Sequence, residues 1–431
     1  MTGIRGIDGT LRHIAVVGAS PAGIRTSEAL RERGFDGRLT VVDAADGIPP
    51  ALDAEALPHT TAEGLDLVGR NVRLSGGRTL DFDGLVIATG AAARRPTGLR
   101  SGHPAVFALR TFENAENAED AENTENTENA EGSENAENAE SIENAESIES
   151  AEVSRALRAA LVGGPRVAVV GAGFTGCEVA SYCRARGLDV TLVESGAAPL
   201  EGVLGTEMGR ELAGLHRENG TAVTTGARAV ALRPEGVVTA DGRLVPADVV
   251  VIAAGLAPRT EWLRGSGLDV EDGVLLDATC AAVGASRVVA AGSVARWFNP
   301  LFGEVMRVEN RNGSEHRSDT MEQAVAAADT LLADGECALS FESLPYFRSE
   351  QYGTEIQFVG LATGVPHVVA GTVAEGRFVA VYTDGQLVTG ALCVNRPSQL
   401  DRYRRMVAAR VPVDVVFAPP TVLKSTVRQP T

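Results

Sequence analysis

The chain of 431 residues is long enough for two or three domains, and a hydrophobic fraction of 44% allows a sizeable core. Its formal charge of −18 is concentrated in one segment, because residues 113–152 contribute −15 and leave only −3 for the rest. This balance argues against nucleic-acid binding, and no apolar run approaches the roughly 18 residues that a membrane-spanning helix requires.

The first predicted unit covers residues 12–43 and consists of a strand, a glycine turn, a helix and a second strand. Apolar residues 14–17 lead into the turn 18–23, which reads Gly-Ala-Ser-Pro-Ala-Gly, and the second strand ends on an acidic residue. Glycines in such a turn let a pyrophosphate approach the free N–H groups of the helix. We therefore predict a dinucleotide site formed by Gly18, Ser20, Gly23 and Asp43. Because the first apolar stretch belongs to this unit, we predict no signal peptide and a cytoplasmic location.

Short strands are predicted over residues 66–93, around a Gly-Gly pair. They end in the run Leu-Val-Ile-Ala-Thr-Gly, which returns the chain to the nucleotide side of the first sheet and makes Thr89 and Gly90 candidate cofactor contacts. A matching apolar run at 249–254 is followed by Gly255. Both runs are equally consistent with buried parallel strands that touch no cofactor.

Residues 113–152 form an acidic, low-complexity insert in which glutamate recurs every third residue. A period of three does not match the 3.6 residues per turn of an α-helix, so no fixed face forms. We predict a solvated loop, largely disordered or marginally helical, at a permissive surface position. The alternatives are an acidic partner mimic or a cation sponge, and expansion of a short DNA repeat accounts for the pattern equally well.

Residues 166–194 repeat the first design with a complete glycine pattern. The turn 171–176 reads Gly-Ala-Gly-Phe-Thr-Gly, and the second strand ends on a glutamate. A carboxylate there suits the ribose hydroxyls and repels a 2′-phosphate, so we predict NAD(H) rather than NADP(H). The alternative is a glycine turn without a ligand. The candidate binding residues are Gly171, Gly173, Phe174, Thr175, Gly176, Glu194 and Gly255.

The remaining sequence returns to the first unit and then forms a third one. The run 288–293 reads as a strand entering a helix, with Gly292 and Ser293 at its end, and residues 322–333 read as that helix. From residue 337 onward short strands alternate with turns and precede a basic helix that contains Arg402, Arg404, Arg405 and Arg410.

These patterns predict an α/β protein with two Rossmann-like dinucleotide-binding domains, the first discontinuous, and a C-terminal α+β domain. The first domain takes residues 1–112 and 262–336, and the insert takes 113–152. The NAD-binding domain takes 153–261, and the last domain takes 337–431.

The five cysteines include no Cys-x-x-Cys pair, and the six histidines show no metal-ligand spacing. We predict buried free thiols, no dithiol redox centre and no metal site. The lack of a Gly-x-Ser-x-Gly elbow argues against a hydrolase.

Several motifs together resemble the single-component, FAD-containing ferredoxin reductases of the putidaredoxin-reductase and rubredoxin-reductase type. Besides the two glycine turns, they are the runs 88–90, 295–304, 306–309, 345–347, 351–353 and 395–397. The resemblance covers nearly the whole chain except the insert. It implies an FAD domain, an inserted NAD domain and a C-terminal reductase domain, through which electrons pass from NADH to FAD and then to a ferredoxin.

The same resemblance assigns further residues and partners. It implies FAD contacts by Gly292, Ser293 and Glu309, and it places Glu178 near the nicotinamide as the catalytic candidate. On its own, Glu178 is an ordinary helix carboxylate. The expected partners are a ferredoxin or similar electron acceptor and, in a homodimer, a second copy of the chain.

Departures from this family cluster in the flavin half. The family has a lysine beside the flavin ring that pairs with the glutamate, whereas residues 48–53 read Ile-Pro-Pro-Ala-Leu-Asp and the only lysine is Lys424. The carboxylate that holds the ribityl chain is replaced by Ser293. Two aromatic motifs read Glu-Asn-Arg at 309–311 and Phe-Arg-Ser-Glu-Gln at 347–351. A helix and a strand that line the flavin are predicted to be missing before Leu65.

Two functions are consistent with this sequence. The first is an NADH-dependent flavoprotein oxidoreductase that passes electrons through FAD, held weakly or exchangeably, to a ferredoxin. The second is an NAD(H)-binding protein that has lost tight FAD binding and serves as a flavin-independent enzyme, sensor or partner subunit. Arg311 and Arg348 either put cations where the family has rings or are surface arginines. The basic helix, with Arg94 and Arg95, either docks an acidic ferredoxin or carries solvated surface charge.

Overall fold

The computed structural model describes residues 11–45, 47–110, 145–307, 316–333 and 338–417. The α-helices among these residues are α1 (Pro21–Glu32), α2 (Ala145–Ala160), α3 (Phe174–Ala185), α4 (Glu201–Glu218), α5 (His316–Leu332), α6 (Leu400–Ala408) and α7 (Val413–Phe417). The strands are β1 (His13–Val17), β2 (Arg38–Val42), β3 (Glu55–Leu57), β4 (Ala62–Asp66), β5 (Asn71–Leu74), β6 (Arg78–Asp81), β7 (Gly84–Ile87), β8 (Ala91–Ala93), β9 (Arg100–Ser101), β10 (Val106–Ala108), β11 (Val167–Val170), β12 (Val190–Val193), β13 (Ala222–Thr224), β14 (Ala229–Arg233), β15 (Gly236–Thr239), β16 (Leu244–Pro246), β17 (Val249–Ile252), β18 (Leu256–Pro258), β19 (Val274–Leu276), β20 (Val288–Ala290), β21 (Ala295–Asn299), β22 (Glu304–Arg307), β23 (Tyr346–Gln351), β24 (Thr354–Gly360), β25 (His367–Thr372), β26 (Arg377–Thr383) and β27 (Val388–Val394).

The first sheet is parallel, with strand order β20-β7-β1-β2-β3. Its central strands are apolar β-branched runs buried on both faces, as expected for a parallel sheet covered by helices. Helices α1 and α5 pack against each other, and α5 also contacts β20. The strands that share this sheet come from both ends of the predicted discontinuous domain.

The second sheet repeats this arrangement with the order β10-β17-β11-β12-β13, again all parallel. In both units a small antiparallel meander precedes the returning strand: β4-β5-β6 before β7, and β14-β15-β16 before β17. The short strands β8 and β18 pair with each other and link the two units. The carboxyl ends of both parallel sheets are therefore built by equivalent turns.

The C-terminal part is an antiparallel sheet with strand order β23-β24-β27-β26-β25. Helix α6 covers one face through Leu400, Tyr403 and Val407, whose spacing puts them on one side of the helix. The other face contacts the second unit, because Phe347, Phe358 and Tyr382 share a hydrophobic cluster with α3 and α4. This packing places β23 beside the NAD-type turn.

The predicted α/β fold class is confirmed, and four local expectations need correction. The run 288–293 does not enter a helix: β21 and β22 follow, and α5 begins at His316. A third strand, β3, is present where a strand was predicted to be missing. Arg410 lies after α6 rather than on it, and its guanidinium pairs with Asp384. Residues 145–152 of the insert belong to α2, and 113–144 lie outside the described residues. The domain boundaries stay predictions.

Candidate functional site

The glycine turn of the second unit leaves the N-terminus of α3 open to a ligand. A Cβ on Gly171 would collide with the Ala253 carbonyl oxygen, and a Cβ on Gly176 would collide with the Gly171 carbonyl oxygen. Gly173 differs, because a Cβ there would meet nothing within 4 Å and Gly173 is itself the N-cap of α3. Two glycines are therefore required by close packing, whereas the middle one keeps space free where a pyrophosphate approaches.

Glu194 supports this turn from the end of β12. Its Oε2 accepts from the Ala172 N–H at 2.7 Å, and its Oε1 accepts from the Gly196 N–H at 2.6 Å. These bonds fix the carboxylate at the edge of the turn. Oε1 also accepts from Ser195 Oγ at 3.1 Å, so Oε2 is the oxygen with a lone pair left for a ribose hydroxyl. The geometry suits NAD(H), and the assignment of Glu194 as a cofactor ligand stays a prediction.

We expect Glu194→Gln to raise the ratio of NADPH to NADH efficiency about tenfold, because an amide no longer repels a 2′-phosphate, and its oxygen still accepts from one of the two backbone N–H groups. Steady-state kcat/KM for both nucleotides measures the ratio. Asp43→Asn makes the same change at the other turn and serves as the control. A ratio that moves equally in both variants contradicts the assignment.

The first glycine turn keeps the same backbone but closes part of the helix end. Cβ atoms on Gly18 and Gly23 would collide with the carbonyl oxygens of Ala88 and Gly18, respectively. The third position is Ser20, whose Oγ donates to the Ala88 carbonyl oxygen at 2.8 Å and accepts from the Gly23 N–H at 3.3 Å. The Ser20 side chain points into the protein and does not block the turn, but its Oγ occupies the Gly23 N–H. In the second unit, Gly173 has no side chain that could occupy the equivalent N–H.

Asp43 is the counterpart of Glu194. Its Oδ1 accepts from the Ala19 N–H at 3.1 Å, and its Oδ2 accepts from the N–H groups of Ala45 and Gly47. The next strand, β3, follows β2 through residues 43–54, and within the described part of that connection there is no α-helix. A parallel crossover normally needs about a dozen residues and usually a helix. The prediction that a strand is missing before Leu65 was therefore wrong. The prediction that a helix is missing there agrees with the described part of the connection.

Gly292 and Ser293 follow β20 at the same edge of the first sheet. The Gly292 N–H donates to Gln323 Oε1 at 2.8 Å, and a Cβ at Gly292 would press on Ala22 of α1. Ser293 is 6% exposed, and Gln323 Nε2 is a buried donor without a hydrogen-bond partner among the described residues. The first turn therefore has space for the nucleotide half of FAD, and the place of Ser293 at the ribityl end stays a prediction of the family resemblance.

Three other predicted site residues lie where the chain crosses between the two units. Thr89 Oγ1 donates to the Arg259 carbonyl oxygen at 2.8 Å, and Gly90 and Gly255 have φ of +64° and +86° at the two crossing points. Thr175 instead bonds within the second unit, where its Oγ1 donates to the Arg110 carbonyl oxygen at 3.3 Å. The contacts of all four residues with a cofactor stay predictions.

The second turn meets the C-terminal sheet at an aromatic and polar junction. The rings of Phe174 and Phe347 lie 3.9 Å apart between centroids. One helical turn further, Glu178 Oε1 accepts from Ser349 Oγ at 2.8 Å. Burial raises the pKa of Glu178 to about 8, although the Ser349 hydrogen bond acts in the opposite direction. Glu178 therefore holds a proton at neutral pH.

A cavity of about 480 Å³ adjoins this junction. It lies where the start of α4, the β21–β22 hairpin and the C-terminal sheet meet, and its lining includes Trp297, Met306, Phe347 and Phe358. Its size and aromatic lining suit a planar ring system.

Not all of the flavin-half departures lie at this junction. Arg348 points away from it and pairs with Glu355 at 2.8 Å with 57% of its side chain exposed, so the surface-arginine interpretation fits that residue. Glu309, Arg311 and Lys424, for which predictions were made, lie outside the described residues. Ser349 and Gln351 were not predicted as site residues. The alternation of buried and exposed side chains along β23 was the signal that could have identified them.

Cys177, Cys183, Cys280 and Cys393 are free and buried, as predicted, whereas Cys337 lies outside the described residues. Within the described residues there is no cluster of ligands that could hold a metal ion. No helix among them combines the length and the apolar character needed to span a bilayer.

Two equivalent nucleotide turns in one chain, the second of them packed against the C-terminal sheet, are the arrangement of a dinucleotide-dependent oxidoreductase. The chain matches the description "pyridine nucleotide-disulphide oxidoreductase" over residues 55–330 and "reductase C-terminal" over residues 346–425. It belongs to the pyridine nucleotide-disulphide oxidoreductase family, whose cofactors are FAD and NAD(H).

Relatives of similar length support the same class. The chain is 32% identical over 443 residues to the anthranilate 1,2-dioxygenase system ferredoxin–NAD(+) reductase component of Burkholderia cepacia, covering 94% of this chain and 97% of that one. It is 30% identical over 435 residues to the biphenyl dioxygenase system ferredoxin–NAD(+) reductase component of Paraburkholderia xenovorans, covering 93% and 94%. Its fold is similar to that in the covalent putidaredoxin reductase–putidaredoxin complex, with a TM-score of 0.72 at 24% identity over 94% and 95% of the chains.

Proposed function

We propose that this chain is an NADH-dependent reductase that passes electrons through FAD to a ferredoxin. The observation that carries the proposal is the packing of the second nucleotide turn against the C-terminal sheet at the Phe174–Glu178 junction, in a chain that has another nucleotide turn at Gly18. The relatives named ferredoxin–NAD(+) reductase components match nearly their whole length to this chain, which supports the same activity here.

Each turn has a separate task in this proposal. Gly173 and the N-terminus of α3 receive the NADH pyrophosphate, and Glu194 binds the ribose. Gly18, Gly23 and the N-terminus of α1 receive the FAD pyrophosphate. When bound, FAD supplies the chemistry that links a two-electron hydride donor to one-electron acceptors.

The junction residues control water and protons. The side chains of Phe174 and Phe347, whose rings are tilted by 48° to each other, are 6% and 4% exposed and exclude water from the N-terminal end of α3. Glu178 holds a proton next to that contact, because burial raises its pKa to about 8. A carboxyl group that is neutral at pH 7 can donate a hydrogen bond to a carbonyl or amide oxygen of a nicotinamide.

NADH oxidation with added FAD and an artificial electron acceptor, followed by the same assay with a [2Fe–2S] ferredoxin, tests the function. A rate no higher than the buffer blank in both assays contradicts it. A colourless protein that binds NADH but never takes up flavin would instead support the flavin-free alternative.

We expect charge reversal on α6 to weaken ferredoxin reduction selectively. Arg402 and Arg405 are exposed on that helix, and reversal of both is expected to raise the KM for an acidic ferredoxin about tenfold at low salt. The rate with the artificial acceptor should stay unchanged. Reversal of Arg210 and Arg217, which are exposed on α4, is the matched control. Equal losses in the two double variants contradict docking at α6.

A further inference from the structure

Ser349 connects Glu178 to the buried side chain of Gln351. Its Oγ lies 2.8 Å from Glu178 Oε1 and 3.1 Å from Gln351 Nε2, and Ser349 and Gln351 are 2% and 0% exposed. The amide nitrogen of Gln351 carries hydrogens and no acceptor lone pair, so it donates to Ser349. Ser349 has a single hydrogen, which is therefore directed to the Glu178 carboxyl group.

On its other side, Gln351 faces a buried histidine. His216 is 0% exposed, and its Nδ1 lies 2.9 Å from the hydroxyl oxygen of Tyr352, which lies 2.8 Å from Thr221 Oγ1. Burial lowers the pKa of His216 to about 4, so the ring is neutral and carries one N–H; the contact with Gln351 opposes this shift. Among the described residues, His216 Nε2 and Gln351 Oε1 are buried without a completed hydrogen bond. The structure shows no hydrogen bond between these two atoms, and the link from Nε2–H to Oε1 that would satisfy both is part of the proposal below.

All links of this chain then donate in one direction, from Thr221 toward Glu178. Gln351 determines the direction because Nε2 only donates and Oε1 only accepts, whereas the hydroxyl groups can turn. Hydrogen bonds in series polarise one another, which strengthens the bond at the acceptor end. The chain also spans the interface, because the Tyr352 N–H donates to Ser181 Oγ of α3 at 2.7 Å.

We propose that Gln351 is a positioning residue that aligns a one-way hydrogen-bond chain on Glu178 and thereby sets the proton affinity of that carboxyl group. The inference rests on the proposed function, in which Glu178 adjoins the nicotinamide.

Among the described residues, few other ionisable groups lie on the strands that pack against the helix of Glu178. Helix α3 packs against β11, β12 and β23, and neither β11 nor β12 contains an ionisable side chain. On β23, Arg348 and Glu350 are on the exposed face. Burial raises the pKa of Cys177 well above its usual value and that of Tyr352 to about 12. Glu194 is held by its own turn.

The test is the pH dependence of the unfolding free energy of the full chain. Because the folded pKa of Glu178 lies above its unfolded value, its stabilising contribution is complete below pH 4.5 and is lost as the pH rises to about 8. For each protein, the unfolding free energy is compared with that of the same protein carrying Glu178→Gln, and the difference isolates this loss. In Gln351→Met we expect the pH at which this loss is complete to rise by about half to one unit, because Ser349 is no longer oriented toward the Glu178 carboxyl group.

Ser349→Ala should show the same shift, and Gln357→Met is the matched control. Gln357 is a buried glutamine on β24 that contacts Tyr346 and Glu355 instead of this chain, so no shift is expected. A shift in Ser349→Ala but not in Gln351→Met overturns the proposal, as does an equal shift in Gln357→Met. If Gln351→Met does not fold, Tyr352→Phe must show a smaller upward shift, and no shift there overturns the proposal.

Because unfolding needs no turnover, the two proposals fail separately. An inactive protein with the expected shifts contradicts the proposed function alone. An active reductase without the shifts contradicts the role of Gln351 alone.

Discussion

A Ser293→Asp variant is expected to bind FAD about 10- to 100-fold more tightly than the parent chain. Ser293 is buried three residues after the end of β20, where the family resemblance places the carboxylate that holds the ribityl chain. A charge-assisted hydrogen bond contributes about 1.5–3 kcal/mol, which corresponds to this range of affinity. Quenching of flavin fluorescence during titration measures Kd, and the parent is expected to lose FAD on a desalting column.

Ser293→Asn is the control for this prediction because it adds nearly the same volume without a charge. It should recover only a small part of the gain. If asparagine and aspartate act equally, or if neither changes Kd, then the lost carboxylate does not limit FAD affinity. In that case the shortened connection between β2 and β3 becomes the next candidate cause.

Gly173→Val is expected to weaken NADH binding by at least 100-fold while the fold stays intact. The φ angle of Gly173 is −74°, which any residue adopts, and a Cβ there would meet nothing within 4 Å. The valine side chain therefore fits the folded protein but occupies the space where a pyrophosphate must approach the helix N-terminus. Titration calorimetry with NADH and a thermal melt measure the two effects.

Gly176→Ala provides the contrast. Its new Cβ would collide with the Gly171 carbonyl oxygen, so this variant should lose stability, by about 2 kcal/mol or more, because α3 cannot pack against its strand. The prediction for Gly173 is wrong if the valine variant binds NADH like the parent. It is also wrong if its melting temperature falls as far as that of the alanine variant.

Local patterns were sufficient for the parts of the fold that repeat along the chain. The β-branched runs at 14–17 and 167–170 predicted buried parallel strands, since only a strand covered on both faces is apolar at every position. The glycines at 18, 23, 171 and 176 predicted the turns, because each lacks room for a Cβ. The three-residue strand β3 was missed because Glu-Ala-Leu is too short to show a period.

The junction was not predictable in the same way. Ser349 and Glu178 are separated by 171 positions, and Gly292 and Gln323 by 31, so no sequence window contains either pair. Arg348 and Ser349 are neighbours in sequence, yet the alternation of β23 directs one to solvent and the other to Glu178. The family motif at 347–351 groups these residues together, whereas on β23 their side chains lie on opposite faces of the sheet.

The amino-acid sequence alone was enough to predict the two nucleotide turns, because glycine spacing and a terminal carboxylate act within a single strand–turn–helix unit. Only in the folded protein did the surroundings of Glu178 become apparent. Its pKa depends on burial by a sheet from another part of the chain and on a hydroxyl oriented by Gln351. Such burial and such orientation are properties of packed surfaces, and a sequence pattern contains neither until the chain has folded.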